Sequence, residues 1–328
     1  AHPRARRWTL KRIPVGLRHM AAAAFFFSLM SLMVKGVGRH LPSQEIVLGR
    51  GALMVGLSYA AVRRARVSAW GHDRKLLALR CVFGFLALSS FFYALVHLPL
   101  AETTVIQYTN PVFTALMAAV ALHEGIPVRQ ALSVALSLLG VGLIARPSFL
   151  FGAAAADLDP VAVGIALAGA VFSAAAYVSV RRLGRTDHPL VIVHWFAVTT
   201  VLGSLPLALP HLVWPTPWEW AALAAIALAT LRAQVHMTTG LTLERAGRAT
   251  AVGYLQIVLA GLWGLLFFGE IPNGWSLAGA ALIIGATLWL ARQRVEPDEV
   301  TDPLARALVP APAVSAVSRR CRRPGNGG

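Results

Sequence analysis

Apolar residues fall along this chain in long unbroken runs, and short clusters of arginine, proline and glycine separate the runs. A helix that crosses a bilayer needs about 20 mostly apolar residues, within a range of about 17 to 25. Cutting at charges, prolines and glycines yields runs 17–37, 44–63, 76–97, 100–121 and 130–145, then 160–180, 189–209, 217–241, 247–268 and 275–291. In hydrocarbon every backbone N–H and C=O must be bonded internally, so continuous runs specify helices, whereas a membrane barrel would show alternation. The pattern predicts an all-α polytopic membrane protein of ten transmembrane helices.

Composition agrees with the bilayer as solvent. Hydrophobic residues make up 57% of the chain and charged residues 13%, about half the share usual in a soluble domain. The net charge of +16 would suit nucleic acid only if the basic residues shared one folded face, and here they sit between the apolar runs, so no nucleic-acid partner is expected. Their distribution sets orientation instead. Lysines and arginines crowd residues 4–18, 63–75, 129, 181–185, 245–248 and 292–323, every second interval along the chain. The opposite loops hold only Arg39 and Arg146, and Lys35, Arg50, Arg80 and Arg232 fall within runs. Positive loops stay inside, so both termini are expected in the cytoplasm of a bacterial inner (plasma) membrane. Arg6 and Arg7 before the first run resemble a twin-arginine signal, but no cleavage site follows Met33, and the first run reads as an uncleaved helix. Neither Cys81 nor Cys321 belongs to a metal or disulfide framework, and no metal or cofactor is expected.

The chain divides into a basic N-terminus at 1–16, five runs within 17–146, five within 160–292, and a tail at 293–328 expected to be disordered and cytoplasmic. Its Arg319–Arg323 cluster could touch anionic membrane lipid, although a solvated tail is the plainer reading. The halves look duplicated: a shift of 146 lays Glu124 on Glu270, Thr104 on Thr250 and Tyr108 on Tyr254, while Phe27 and Ser28 match Phe172 and Ser173. Five helices per half is an odd number, so the second copy enters the membrane in the opposite sense. This makes two inverted five-helix repeats, with substrate expected at their interface near the midplane.

The stretch from Leu98–Ala101 through Asn110–Thr114 to Glu124 resembles the fourth-helix signature of EamA-type transporters in the drug/metabolite transporter superfamily, and Phe268–Glu270 resembles its second copy. The resemblance covers about 17–292. It implies a ten-helix fold and a central cavity lined by the first, third, fourth, sixth, eighth and ninth helices. Tyr254, Gln256, Leu262, Trp263, Gly264 and Phe268 resemble a branch that contains carriers of riboflavin, S-adenosylmethionine and organic anions. Ile257 stands where the first copy has Pro111, so the two halves are expected to bend differently.

Polar side chains inside apolar runs are the candidates for substrate contact. Thr103, Gln107, Asn110 and Thr114 form a stripe at helical spacing on the fourth run, beside Pro111. On the eighth run Arg232, His236 and Thr239 share a face, and Arg232 near mid-membrane is the sharpest signal, because an arginine there costs about 2.5 to 3.5 kcal/mol. Lys35, Tyr93, Tyr177 and Tyr254 complete the candidate set. Arg80 lies few enough residues inside its run to snorkel toward the cytoplasm, Arg50 reads as structural, and Glu124 and Glu270 read as loop anchors. His194, His236 and Glu102 are the groups through which protons could couple.

These features describe a secondary carrier that moves a small polar metabolite, anionic or zwitterionic, by alternating access. An exporter of aromatic or cationic compounds is the alternative substrate class. No Walker motif is present to bind ATP. An intramembrane enzyme would need positioned acids, bases or metal ligands, and His123 and Glu124 do not extend to a second histidine four residues on. A channel would need a selectivity-filter loop between spans, and none is visible.

Overall fold

The protein, seen in a computed structural model, is described at residues 13–38, 40–98, 100–145, 159–269 and 271–292. The first twelve residues, the tail 293–328 with its Arg319–Arg323 cluster, Arg146 and Glu270 lie outside the described residues. In chain order the helices are α1 (Val15–Val37), α2 (Ser43–Arg64), α3 (Arg74–His97), α4 (Leu100–Gln107), α5 (Asn110–Ala121) and α6 (Val128–Ala145). The second half contributes α7 (Pro160–Leu183), α8 (Pro189–Ala208), α9 (Pro217–Leu243), α10 (Ala246–Val252), α11 (Leu255–Phe268) and α12 (Gly274–Ala291).

Local chemistry fixes where they begin. Asp73 Oδ1 accepts the Leu76 N–H at 3.0 Å, Asp159 caps Val161 at 3.0 Å, and Asn273 caps Ser276 at 2.9 Å. Thr216 and Glu219 form a reciprocal capping box on α9. Pro160, Pro189 and Pro217 occupy first helical positions, where a missing N–H costs nothing.

Among the described residues nine stretches are long and apolar enough to cross a membrane. The tenth span is α4 with α5, whose eight and twelve residues are each too short alone. The break lies at Tyr108–Thr109, where the Thr109 N–H turns back to the Ile106 carbonyl at 3.1 Å and Val112 N–H to Thr109 at 3.0 Å. Pro111 follows, with no N–H to continue the ladder.

The second half breaks at the equivalent place, against the expectation drawn from Ile257. Helix α10 ends at Val252 and α11 starts at Leu255. Here the Gly253 N–H bonds the Thr250 carbonyl at 2.9 Å and Gln256 N–H bonds Gly253 at 3.0 Å. A hydroxyl substitutes for the proline: Thr250 Oγ1 donates back to Ala246 at 3.0 Å, a contact that loosens a helix at that turn. The two breaks meet. Val112 has abandoned the Tyr108 carbonyl, and Tyr254 Oη donates to it at 2.9 Å, while the two tyrosine rings stack with centroids 5.8 Å apart.

Packing repeats the internal symmetry. Span 1 packs on spans 8 and 9 as span 6 packs on spans 3 and 4, while span 2 pairs with span 7 and span 5 with span 10. Each pairing joins the repeats, and the fold is that of two inverted five-helix repeats. Spans 5 and 10 approach closely at glycine: a Cβ on Gly140 would stand 2.7 Å from the Gly279 carbonyl.

Candidate functional site

A cavity of about 300 Å³ lies between the repeats. Its walls come from α1, α3, the α4–α5 break, α7, α9 and the α10–α11 break, the six spans the family resemblance implied, with Phe196 of α8 added. The two helix breaks therefore do what an unbroken helix cannot: they expose irregular backbone and amide side chains in mid-membrane, where only a protein-lined cavity tolerates them.

Arg80 is the single charged residue in the described lining. It stands two turns inside α3 and is 2% exposed, so it does not reach the aqueous edge as sequence position suggested. Its guanidinium lies over the Phe196 ring, 4.2 Å from carbon to centroid. Gly84, one turn on, makes the space, because a Cβ there would collide with Arg80 Nη1. Nε and Nη1 have no hydrogen-bond partner among the described residues. An unpaired buried ion carries a desolvation penalty of several kcal/mol, of which stacking on a ring returns about 2. Gln234 of α9 is the other lining residue with a buried unpartnered atom, its Oε1.

Of the sequence candidates, Gln107, Asn110 and Tyr177 stand on the cavity wall. Gln107 Nε2 donates to Ser173 Oγ at 3.3 Å, tying the fourth span to the sixth. Thr103, Thr114 and Thr239 stand elsewhere and turn their hydroxyls to nearby carbonyls, those of Ala94 at 3.2 Å, Asn110 at 2.8 Å and Val235 at 2.8 Å. Arg232 is exposed on the outer face of α9. His236 pairs with His19 of α1, Nδ1 to Nδ1 at 2.8 Å, and its ring stacks on Phe26. Lys35 is exposed at the end of α1, and Tyr93 stacks on His97 at a centroid distance of 4.0 Å. Tyr254 is the buried bridge between the breaks. His194 meets Ser58 Oγ at 2.9 Å, and Arg50 donates to Thr230 at 3.5 Å and approaches the Met30 sulfur at 3.7 Å.

Arg80 and Gln234 were missed as cavity contacts because spacing reveals which residues share a helix face, not which face looks inward. The Arg80–Gly84 pair at i, i+4 was the available signal.

One end of the molecule, where α1 begins, carries a cluster of ion pairs. Glu124 Oε1 accepts from Arg181 Nε at 3.0 Å and Oε2 from the Ala246 N–H at 3.0 Å, joining spans 4, 6 and 9. Arg181 also donates to the Thr242 carbonyl. Beside it Glu244 pairs with Arg248 at 3.2 Å; burial pushes its carboxyl above the ordinary range, against the pull of Arg248, Arg181 and Arg245.

Comparison with known proteins places this architecture. The EamA-like transporter family profile matches residues 15–146 and again 161–292. A pseudopaline exporter, CntI, of Pseudomonas aeruginosa is 34% identical over 83% of this chain and 94% of its own length. Solute carrier family 35 member G1 of Homo sapiens is 28% identical over 84% of this chain and 79% of its own length. The S-adenosylmethionine uptake transporter of Rickettsia prowazekii is 23% identical over 65% and 70%. A solved crystal structure superposes with a TM-score of 0.74 at 20% identity, over 84% of this chain and 95% of that one, which is a likeness of fold. Two tandem matches, relatives named as transporters and ten membrane spans in two repeats identify a multi-pass transporter of the drug/metabolite type, and the chain belongs to the EamA-like transporter family.

Proposed function

We propose that the protein is a secondary carrier of a small polar metabolite bearing an anionic group, alone or within a zwitterion, moved by alternating access through the inter-repeat cavity. The observation that carries this reading is the Arg80 guanidinium, buried in the cavity with two unpartnered nitrogens and no acidic residue in the described lining. A positive chamber without a carboxylate suits an anion and disfavours the cationic multidrug substrates otherwise open to this fold. Arg80, Gln107, Asn110 and Tyr177 form the contact set. Of the remaining sequence candidates, Thr103 and Tyr254 join neighbouring helices, Thr114 and Thr239 bond back within their own helices, and the His19–His236 pair is the place for proton coupling. Export as the direction draws support from the named activity of the Pseudomonas relative. The repeats occupy about 17–146 and 160–292, both termini face the cytoplasm, and the membrane is the bacterial inner membrane.

The test is solute flux in proteoliposomes, read by mass spectrometry of the trapped volume against a mixed metabolite extract. Net accumulation of one or more anionic or zwitterionic solutes, abolished in Arg80→Gln, is the expected result. Flux of cations alone, or accumulation unchanged in Arg80→Gln, would overturn the assignment, and chemical conversion of a solute would point to an enzyme.

A further inference from the structure

Several buried polar atoms in the described residues lack a partner, and they include atoms of Arg80, Ser137, Gln234, Thr238 and Thr287. Of these residues only Arg80 and Gln234 line the cavity. They offer opposite chemistry. Arg80 carries unused N–H donors with a fixed positive charge, and Gln234 carries an unused carbonyl oxygen, these atoms being enclosed at the cavity wall. Arg80 belongs to span 3 in the first repeat and Gln234 to span 8, its counterpart in the second.

We propose that the two groups form one two-point site for a monoanion that also carries a neutral N–H or O–H donor, such as a 2-hydroxy acid or an N-acylated amino acid. This deepens the carrier reading above and rests on it. The anionic oxygens take the guanidinium donors, and the hydroxyl or amide hydrogen takes Gln234 Oε1. Charge balance selects the class. The described lining holds one positive charge and no negative one, so a monoanion brings the chamber to neutrality. A dianion leaves a charge with no second cation, and a neutral zwitterion places its ammonium in a small low-dielectric space shared with Arg80. Phe27, Phe91 and Phe196 supply apolar wall for the body of the solute. Because the anchors sit on different repeats, such a solute ties the halves together, and one lacking either group holds only one half.

The test uses purified full-length protein and five probes that share a phenyl body. They are 3-phenyllactate, its 2-methoxy ether, phenylalanine, phenylethylamine and phenylsuccinate, each titrated with thermal stability as the readout. Phenyllactate is expected to bind tightest. The ether, equal in charge and lacking only the donor, should bind about three- to tenfold more weakly, the worth of one neutral hydrogen bond. Gln234→Leu should weaken phenyllactate by the same factor and leave the ether unchanged, and Arg80→Gln should weaken both by about ten- to a hundredfold. Equal binding of hydroxy acid and ether, tighter binding of the zwitterion, cation or dianion, or no stabilisation by phenyllactate would each overturn the proposal. The wild-type probe series decides this even if a variant fails to fold. Should another probe bind in an Arg80-dependent way and accumulate in proteoliposomes, the two-point site falls while the carrier reading stands.

Discussion

Arg80 and Gly84 act as a unit, since the guanidinium occupies the volume that a side chain at 84 would fill. Gly84→Ala is expected to push Arg80 off Phe196 and lower transport about tenfold or more, as overpacking by one methyl commonly costs 1 to 3 kcal/mol. Gly56→Ala on α2, where a Cβ would meet nothing within 4 Å, is the control and should leave flux unchanged. Equal flux in both variants would separate Arg80 from transport. At this scale the sequence was partly legible. The stripe on the fourth span placed Gln107 and Asn110 together, and both reach the cavity wall. Thr103 and Thr114 share their face in projection, yet their hydroxyls bond carbonyls of the helix scaffold, a choice no spacing rule reveals. Arg232 stood out for its depth along the axis, and depth says nothing about the azimuth that left it exposed on the outer face of α9.

Among the elements, the helix ends and breaks carry the mechanics. Glu124 satisfies two donors at once, the Arg181 guanidinium and the first N–H of α10, and joins the end of the fourth span to the sixth and ninth. Glu124→Gln keeps one acceptor and loses the charge, leaving the largely buried Arg181 without that counter-ion. Unfolding should become easier by about 1 to 3 kcal/mol, seen as a lower thermal midpoint. Exchanging the pair, Glu124→Arg with Arg181→Glu, should recover part of that loss. An unchanged midpoint in Glu124→Gln would show that solvent screens the pair. Tyr254→Phe removes the bond to the Tyr108 carbonyl and is expected to destabilise by about 0.5 to 1.5 kcal/mol. The ends of most helices were readable from caps and prolines. The second break was not, because Ile257 replaces the proline of the first copy while the effective residues are Gly253 and the Thr250 hydroxyl, neither of which is a strong helix breaker alone in a sequence.

For the whole molecule, the arginine bias between spans predicts that reporters fused after residue 292 and before residue 15 lie on the same, cytoplasmic side. A C-terminal fluorescent protein should be bright and a C-terminal alkaline phosphatase inactive, and the reverse pattern would invert the assigned orientation. The ten-span architecture was legible because hydrocarbon permits so few backbone solutions, and the doubled pattern around Glu124 and Glu270 indicated the duplication. Which spans would touch was not legible from hydropathy, since lipid and helix faces are equally apolar. The family resemblance implied only which spans line the cavity, and the mirrored pairing of spans 1 and 8 with 6 and 3 is visible in the structure alone.

That mirrored pairing has a thermodynamic corollary. In a machine of two inverted copies, facing the opposite side of the membrane amounts to each copy adopting the posture of the other. Identical copies would make the two postures equal in energy. Here one joint lacks an amide hydrogen at Pro111, while the other bends through a glycine and a threonine hydroxyl that can rotate away. Under the alternating access proposed above, the exchange of postures is therefore expected to have a downhill direction, with the empty carrier resting predominantly on one side.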